Sequence, residues 1–251
     1  MGELLNCSDH GYCVPDSSSD SSTQAMQKEE NSFLGTLWYF GDPMCSWCYG
    51  ISDEILAIKK HYKDTLGFRL VMGGLRPEGG EEWNVEFKKF LKNHWSHVNM
   101  SSGKEFNTGI LEWDEFDYNT EPSCRAVVVF RFMYPDLAME FLAKVSKRFY
   151  VDNQDPKEDE FYKPIFEEMD LDFASFKVLF HSQKFKKETF DDFMKAKNNG
   201  VLGFPTLLFE HRRRFTVITR GFNIAGRLQE RIDEAIVRAK RIDNEKRGIN
   251  G

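Results

Sequence analysis

Cysteine is scarce and odd in number: five thiols in 251 residues are too few for the framework of a disulfide-stapled domain. No apolar run approaches the length that crosses a bilayer. The N-terminus lacks the basic start and continuous apolar stretch of a secretory signal, and Asn6 stands where an N-myristoylation signal after Met1-Gly2 wants Ser or Thr. Positive charge is in deficit: a net charge of −6 speaks against a general nucleic-acid binder, which needs a basic face against phosphate. The local exception, Arg212-Arg213-Arg214, follows an expected strand and reads as a solvated hairpin tip. These absences predict a cytoplasmic chain with reduced thiols and with neither a membrane nor a nucleic acid as partner.

What is present is aromatic. The chain is 41% hydrophobic and holds 23 Phe, the composition of a globular protein with an aromatic interior. Residues 1–32 differ: they are polar and Ser/Asp-rich and bury too little to offset ordering entropy, so a disordered tail is expected there. Within it Cys7, His10 and Cys13 offer three soft ligands with no evident fourth. A labile Cys7/Cys13 disulfide, an accessory dithiol that exchanges with the main pair, and no role at all are the other readings.

The rest of the chain is arranged around Asp42-Pro43-Met44-Cys45-Ser46-Trp47-Cys48-Tyr49-Gly50. Thr36–Phe40 has the content of a buried strand, Gly41-Asp42-Pro43 is a turn signal, and Ile51, Ile55, Leu56 and Ile58 recur at near-helical spacing. A Cys-x-x-Cys pair therefore sits where a helix begins. Unpaired amides and the positive dipole end in a first helical turn stabilise a thiolate. Cys45 is expected to be the more acidic, attacking thiol, and Cys48, one turn later, to resolve a mixed disulfide.

Gly67–Met72 reads as a second strand, parallel to the first through a right-handed crossover. From about Gly73 to Lys187 the pattern is helix and loop. Trp83, Phe87, Phe90, Leu91 and Trp95 fall at helical spacing and read as core. His94 and His97 share a helix face but have no supporting ligands nearby, so surface histidines are expected. The carboxylates of Glu112–Asp117 interleave with aromatics, as in a loop packed onto the domain. Asn119-Thr120-Glu121-Pro122 starts a helix, with a capping residue ahead of a first-turn proline; Cys124 follows among apolar residues as a buried, inert thiol. Helices are expected at about 137–150, 158–168, 172–181 and 184–198. A hairpin of Thr206–Phe209 and Phe215–Thr219 follows, then a last helix ending near Arg241.

This order, with Gly203-Phe204-Pro205-Thr206 opening the hairpin, resembles the DsbA-like branch of the thioredoxin superfamily over about residues 35–241. The three separated motifs look like those of a predicted protein-disulfide isomerase group related to FrnE-type oxidoreductases. The resemblance implies an α/β thioredoxin-like fold with a large DsbA-type helical insertion: halves at 33–74 and 188–242, the insertion at 75–187, and tails at 1–32 and 243–251. It implies a cis Pro205 facing Cys45 and Cys48, with Trp47, Phe204, Pro205 and Thr206 shaping a substrate strip. Trp47 departs from the residue pairs of bacterial DsbA and of thioredoxin, which leaves the reduction potential open.

A thiol-disulfide oxidoreductase or disulfide isomerase is the leading expectation. Its partners are protein or small-molecule disulfides and dithiols, with glutathione a candidate, and it needs no metal or organic cofactor because the electrons come from another dithiol. The alternative on the same scaffold is a glutathione-dependent transferase or isomerase of the kappa or 2-hydroxychromene-2-carboxylate type; a resolving second cysteine speaks against it. A non-catalytic binding module leaves the paired thiols unexplained.

Overall fold

A computed structural model describes residues 5–7, 13–15, 33–80 and 82–248. Near the N-terminus β1 (Leu5–Cys7) and β2 (Cys13–Pro15) pair antiparallel, with Cys7 opposite Cys13 in register. The other N-terminal expectations, a ligand set with His10 and a dithiol relay among them, lie outside the described residues.

The main sheet has four strands in the order β4-β3-β5-β6. β3 (Thr36–Gly41) lies parallel to β4 (Gly67–Met72) and antiparallel to β5 (Thr206–His211), which pairs with β6 (Arg214–Arg220). β3 is central because both its faces are apolar. Leu37 and Tyr39 enter the large core; Trp38 and Phe40 enter a smaller one with Val71, Ala196, Val201 and Leu208. A strand buried on both sides reads as a continuous apolar run, and that is why Leu37-Trp38-Tyr39-Phe40 was legible.

The helix after the dithiol is broken where one was expected. α1 (Ser46–Gly50) and α2 (Ser52–Tyr62) meet at Ile51, with φ −88° and ψ −2°, and the Ser52 hydroxyl donates to the Tyr49 carbonyl at 2.8 Å. α3 (Val85–Ser102), α4 (Glu121–Met133), α5 (Ala138–Tyr150), α6 (Lys163–Glu168), α7 (Phe173–Phe180) and α8 (Gln183–Asn198) lie between β4 and β5, and all but the greater part of α8 fall within the segment read as helical. The helix expected from 158 divides into a 3-10 turn at Asp159–Phe161 and α6. Pro164 near its start has no amide to donate.

α9 (Ala225–Gly248) packs on α2 and β6 and runs past Arg241, where its end was expected. The reason is tertiary. Asp243 accepts from His211 at 3.0 Å and from Arg212 at 2.7 Å, which ties the last turns of α9 to the β5–β6 hairpin. Arg212 and Arg213 both have positive φ, 50° and 61°, the geometry of a two-residue hairpin turn.

The large core joins the two sequence halves and the helices between them. Leu37, Tyr39, Leu207 and Ile232 share it with Phe130, Phe141, Phe166 and Phe176. A third cluster gathers Met44 and Tyr49 with Trp95, Phe116, Tyr118 and Tyr150. The loop holding the dithiol lies where these clusters meet.

Candidate functional site: a dithiol on a pinned turn

The turn from β3 to α1 is held by hydrogen bonds. Asp42, fully buried, accepts from the Met44 amide at 2.9 Å, the Leu75 amide at 2.7 Å, the Thr120 hydroxyl at 2.8 Å and the Cys124 thiol at 3.2 Å. Its main-chain carbonyl accepts from the Cys45 amide at 3.1 Å. Burial pushes the Asp42 carboxyl above its ordinary range, while the four donors pull it back. The next two carbonyls are taken by hydroxyls from the helical segment. Ser146 donates to Pro43 at 2.8 Å; Tyr150 and Tyr118 donate to Met44 at 2.6 and 3.0 Å.

Cys45 stands just ahead of α1 in an extended conformation, and Cys48 lies in its first turn. Cys45 is 5% exposed and Cys48 is fully buried, so Cys45 is the sulfur a partner reaches first. Burial, then the hydrogen bond to Cys45 and its charge, push the Cys48 thiol well above its ordinary range. The Cys45 thiol lies 3.6 Å from the carbonyl oxygen of Phe204, and the Phe204–Pro205 bond is cis. The cis bond is the one the resemblance implies for Pro205.

The neighbouring loop makes that approach possible. A Cβ on Gly73 would lie 2.1 Å from the Phe204 ring, so only glycine leaves the ring its place. Thr206 is buried and its hydroxyl donates to Gly203 at 2.8 Å, closing the turn.

Trp47 is half-buried beside the dithiol, its ring 6.0 Å from both His94 and Phe222. Phe90, 54% exposed, stacks on His94 at 5.6 Å. His94 is partly exposed, as expected of a surface histidine, and its ring lies between those of Trp47 and Phe90. Burial first, then the like charges of His97 and Arg76, lower its pKa. Among the described residues no group of three or more His, Cys, Asp or Glu could hold a metal ion.

Sequence reasoning missed Asp42 as an anchor, along with Ser146, Tyr118 and Tyr150. Thr120 was visible only as part of the helix start Asn119-Thr120-Glu121-Pro122. The structure shows no side-chain capping bond from it; its hydroxyl is spent on Asp42, and Asn119 takes the Glu121 amide at 2.9 Å. Cys124 is buried as expected, though its thiol points to Asp42.

A parallel strand–helix–strand unit, an antiparallel hairpin entered through a cis proline, and a Cys-x-x-Cys pair at a helix start, with Cys45 beside the carbonyl that precedes that proline, define a thioredoxin-like α/β protein with a DsbA-type helical insertion. The chain belongs to the thioredoxin family, whose sequence pattern matches residues 38–226. Among curated proteins none matches the sequence. Of solved structures, a protein from Nitrosomonas europaea provisionally described as a protein disulfide isomerase is 28% identical, with a TM-score of 0.75 over 81% of this chain and 98% of that one. The cytosolic disulfide reductase DsbM from Pseudomonas aeruginosa, also solved with GSH, is 23% identical, with a TM-score of 0.66 over 81% of this chain and 98% of that one. The oxidoreductase NmDsbA1 from N. meningitidis, 10% identical, shares the fold at a TM-score of 0.54 over 84% of this chain and 86% of that one.

Proposed function

We propose that the protein is a thiol-disulfide oxidoreductase or disulfide isomerase working through Cys45 and Cys48. The observation that supports this most is the difference between the two sulfurs. One stands at a helix start facing the Phe204 carbonyl, and the other is buried one turn behind it with a raised pKa.

Cys45 attacks a substrate disulfide and forms a mixed disulfide; Cys48 then attacks Cys45, and the second substrate thiol leaves. Phe204 and Pro205 border an extended substrate, and Trp47 covers its apolar flank. Two electrons pass between dithiols, so no cofactor enters. The setting we infer is the cytoplasm, where reduction of substrates is the favoured direction. Glutathione is the small-molecule partner we favour; DsbM, which shares the fold, has been solved with it.

Cys45→Ser is expected to lose all insulin-reduction and dithiol-exchange activity, and an unchanged rate would refute the assignment. Cys48→Ser is expected to accumulate a mixed disulfide at Cys45. The equilibrium potential of the pair against glutathione then separates a reductase from an oxidant.

A further inference from the structure

The loop that follows β4 is fastened to the same anchor as the dithiol turn. The Leu75 amide donates to Asp42 at 2.7 Å, and the Arg76 amide donates at 3.1 Å to the Thr120 hydroxyl, which itself donates to Asp42 at 2.8 Å. The Arg76 carbonyl accepts from the Thr120 amide at 2.8 Å and from the Gly79 amide at 3.2 Å. Arg76 is therefore displayed from a backbone held on both sides.

Its side chain is left free of such bonds. Arg76 is half-buried, and its guanidinium lies over the ring of Phe87 at 5.2 Å and over that of Tyr118 at 5.4 Å. It forms no hydrogen bond and no ion pair with any described residue. Aromatic faces attract a guanidinium without using its N–H donors. The fork is thus held in place and unoccupied, and the acceptor it matches bidentately is a carboxylate.

Two lines of contact connect this cation with the reactive sulfur. On one side the Tyr118 hydroxyl donates to the Met44 carbonyl at 3.0 Å, so one phenol ring and one hydrogen bond separate Arg76 from the residue before Cys45. On the other, Phe87 stacks on Phe90 at 6.3 Å, Phe90 on His94 at 5.6 Å, and His94 meets Trp47, two residues after Cys45, at 6.0 Å. A thiol of tripeptide length, about 10 Å when extended, is of the size of the first of these spans.

We propose that Arg76 binds a carboxylate of the substrate, and that the substrate class is a small disulfide carrying carboxylates. This rests on the dithiol function proposed above and adds to it the group that selects the partner. Arg76 takes no part in the electron transfer. For each Cys45–Cys48 bond formed, the substrate S–S bond breaks, the chain gives up two electrons and two protons, and two substrate thiols leave.

The test uses full-length chain carrying Cys7→Ser and Cys13→Ser, reduced and then mixed in turn with glutathione disulfide, with its ester in which every carboxylate is capped, and with the neutral bis(2-hydroxyethyl) disulfide. Oxidation of Cys45 and Cys48 is followed by acid quench and alkylation, and the readout is the ratio of the rates with free and esterified disulfide. If none of the three oxidises the pair with Arg76 intact, the dithiol reading itself fails, whatever Arg76 does. In the wild type, capping the carboxylates is expected to slow oxidation about tenfold or more, the loss of one charged hydrogen-bonded pair. In Arg76→Gln the ratio should fall to about one. A loss of packing would slow both disulfides together and leave the ratio where it was. An unchanged ratio in Arg76→Gln overturns the proposal, as does a wild type that reacts with the ester as fast as with the free disulfide. Should Arg76→Gln not fold, Arg76→Lys decides. It keeps the charge but loses the fork, so the ratio should fall part of the way, and a ratio equal to that of the wild type overturns the idea.

Discussion

At Asp42 four donors meet one buried carboxylate, and three of them converge on a single oxygen. An asparagine can serve those three with its carbonyl, but its NH2 then faces the Met44 amide, donor against donor. Asp42→Asn is expected to lower stability by about 1–3 kcal/mol, read from the midpoint of urea unfolding. The loss depends on pH. Because the folded pKa of Asp42 lies above the ordinary 3.8, the folded chain holds its proton longer than the unfolded one. The stability of the wild type from this group is therefore full below 3.8 and declines as pH rises through the folded value. The gap between wild type and Asp42→Asn should be widest in acid and narrow toward neutral pH; a gap that widens instead would mean that the four donors outweigh burial. Nothing local announces this role: an aspartate before a proline in a turn reads only as a turn residue.

Elements matter here through what they bring to the turn. The helical insertion supplies Thr120 and Cys124 on or beside α4, Ser146 and Tyr150 on α5, and Tyr118 just before α4. It is thus the support of the dithiol loop as well as its cover. Removing one hydroxyl with Tyr150→Phe leaves Tyr118 on the Met44 carbonyl, and a loss of about 1 kcal/mol is expected on urea unfolding. A larger effect is expected at the loop after β4. Gly73→Ala places a methyl where the Phe204 ring lies, and overpacking of this kind costs about 1–3 kcal/mol. Because the Phe204 carbonyl faces Cys45 at 3.6 Å, the exchange rate should fall together with the unfolding midpoint. A Gly73→Ala chain with wild-type exchange would show that Phe204 does not contribute to the strip. A second tie lies at the same end of β4: buried Asp192 of α8 accepts from the Met72 amide at 3.0 Å and from Arg131 of α4 at 2.7 Å, and Arg131 also reaches the Leu70 carbonyl. It covers an edge strand that would otherwise offer unpaired amides.

For the whole molecule the decisive fact is a shared core. Phe130 and Phe141 stack at 4.0 Å between centroids, within the cluster that also holds Leu37, Tyr39 and Leu207 of the sheet. Sheet and insertion are therefore expected to unfold in one transition, with tryptophan fluorescence and far-UV circular dichroism coinciding; two separated transitions would contradict this. Phe141→Ala should lower stability by about 3–5 kcal/mol and shift both signals equally. The strands, most helices and the dithiol were readable because strand alternation, helical spacing and turn chemistry are short-range properties of neighbouring residues. So was the break before the hairpin, where Gly203-Phe204-Pro205 interrupts two periodic stretches. The sequence by itself determined that two cysteines stand one turn apart at a helix start behind a buried strand. Only the tertiary structure decided what surrounds them: Thr120 meets Asp42 across 78 positions and Tyr150 meets Met44 across 106. No periodicity or propensity extends over such separations; these pairs exist because one aromatic core draws the insertion down onto the strand ends.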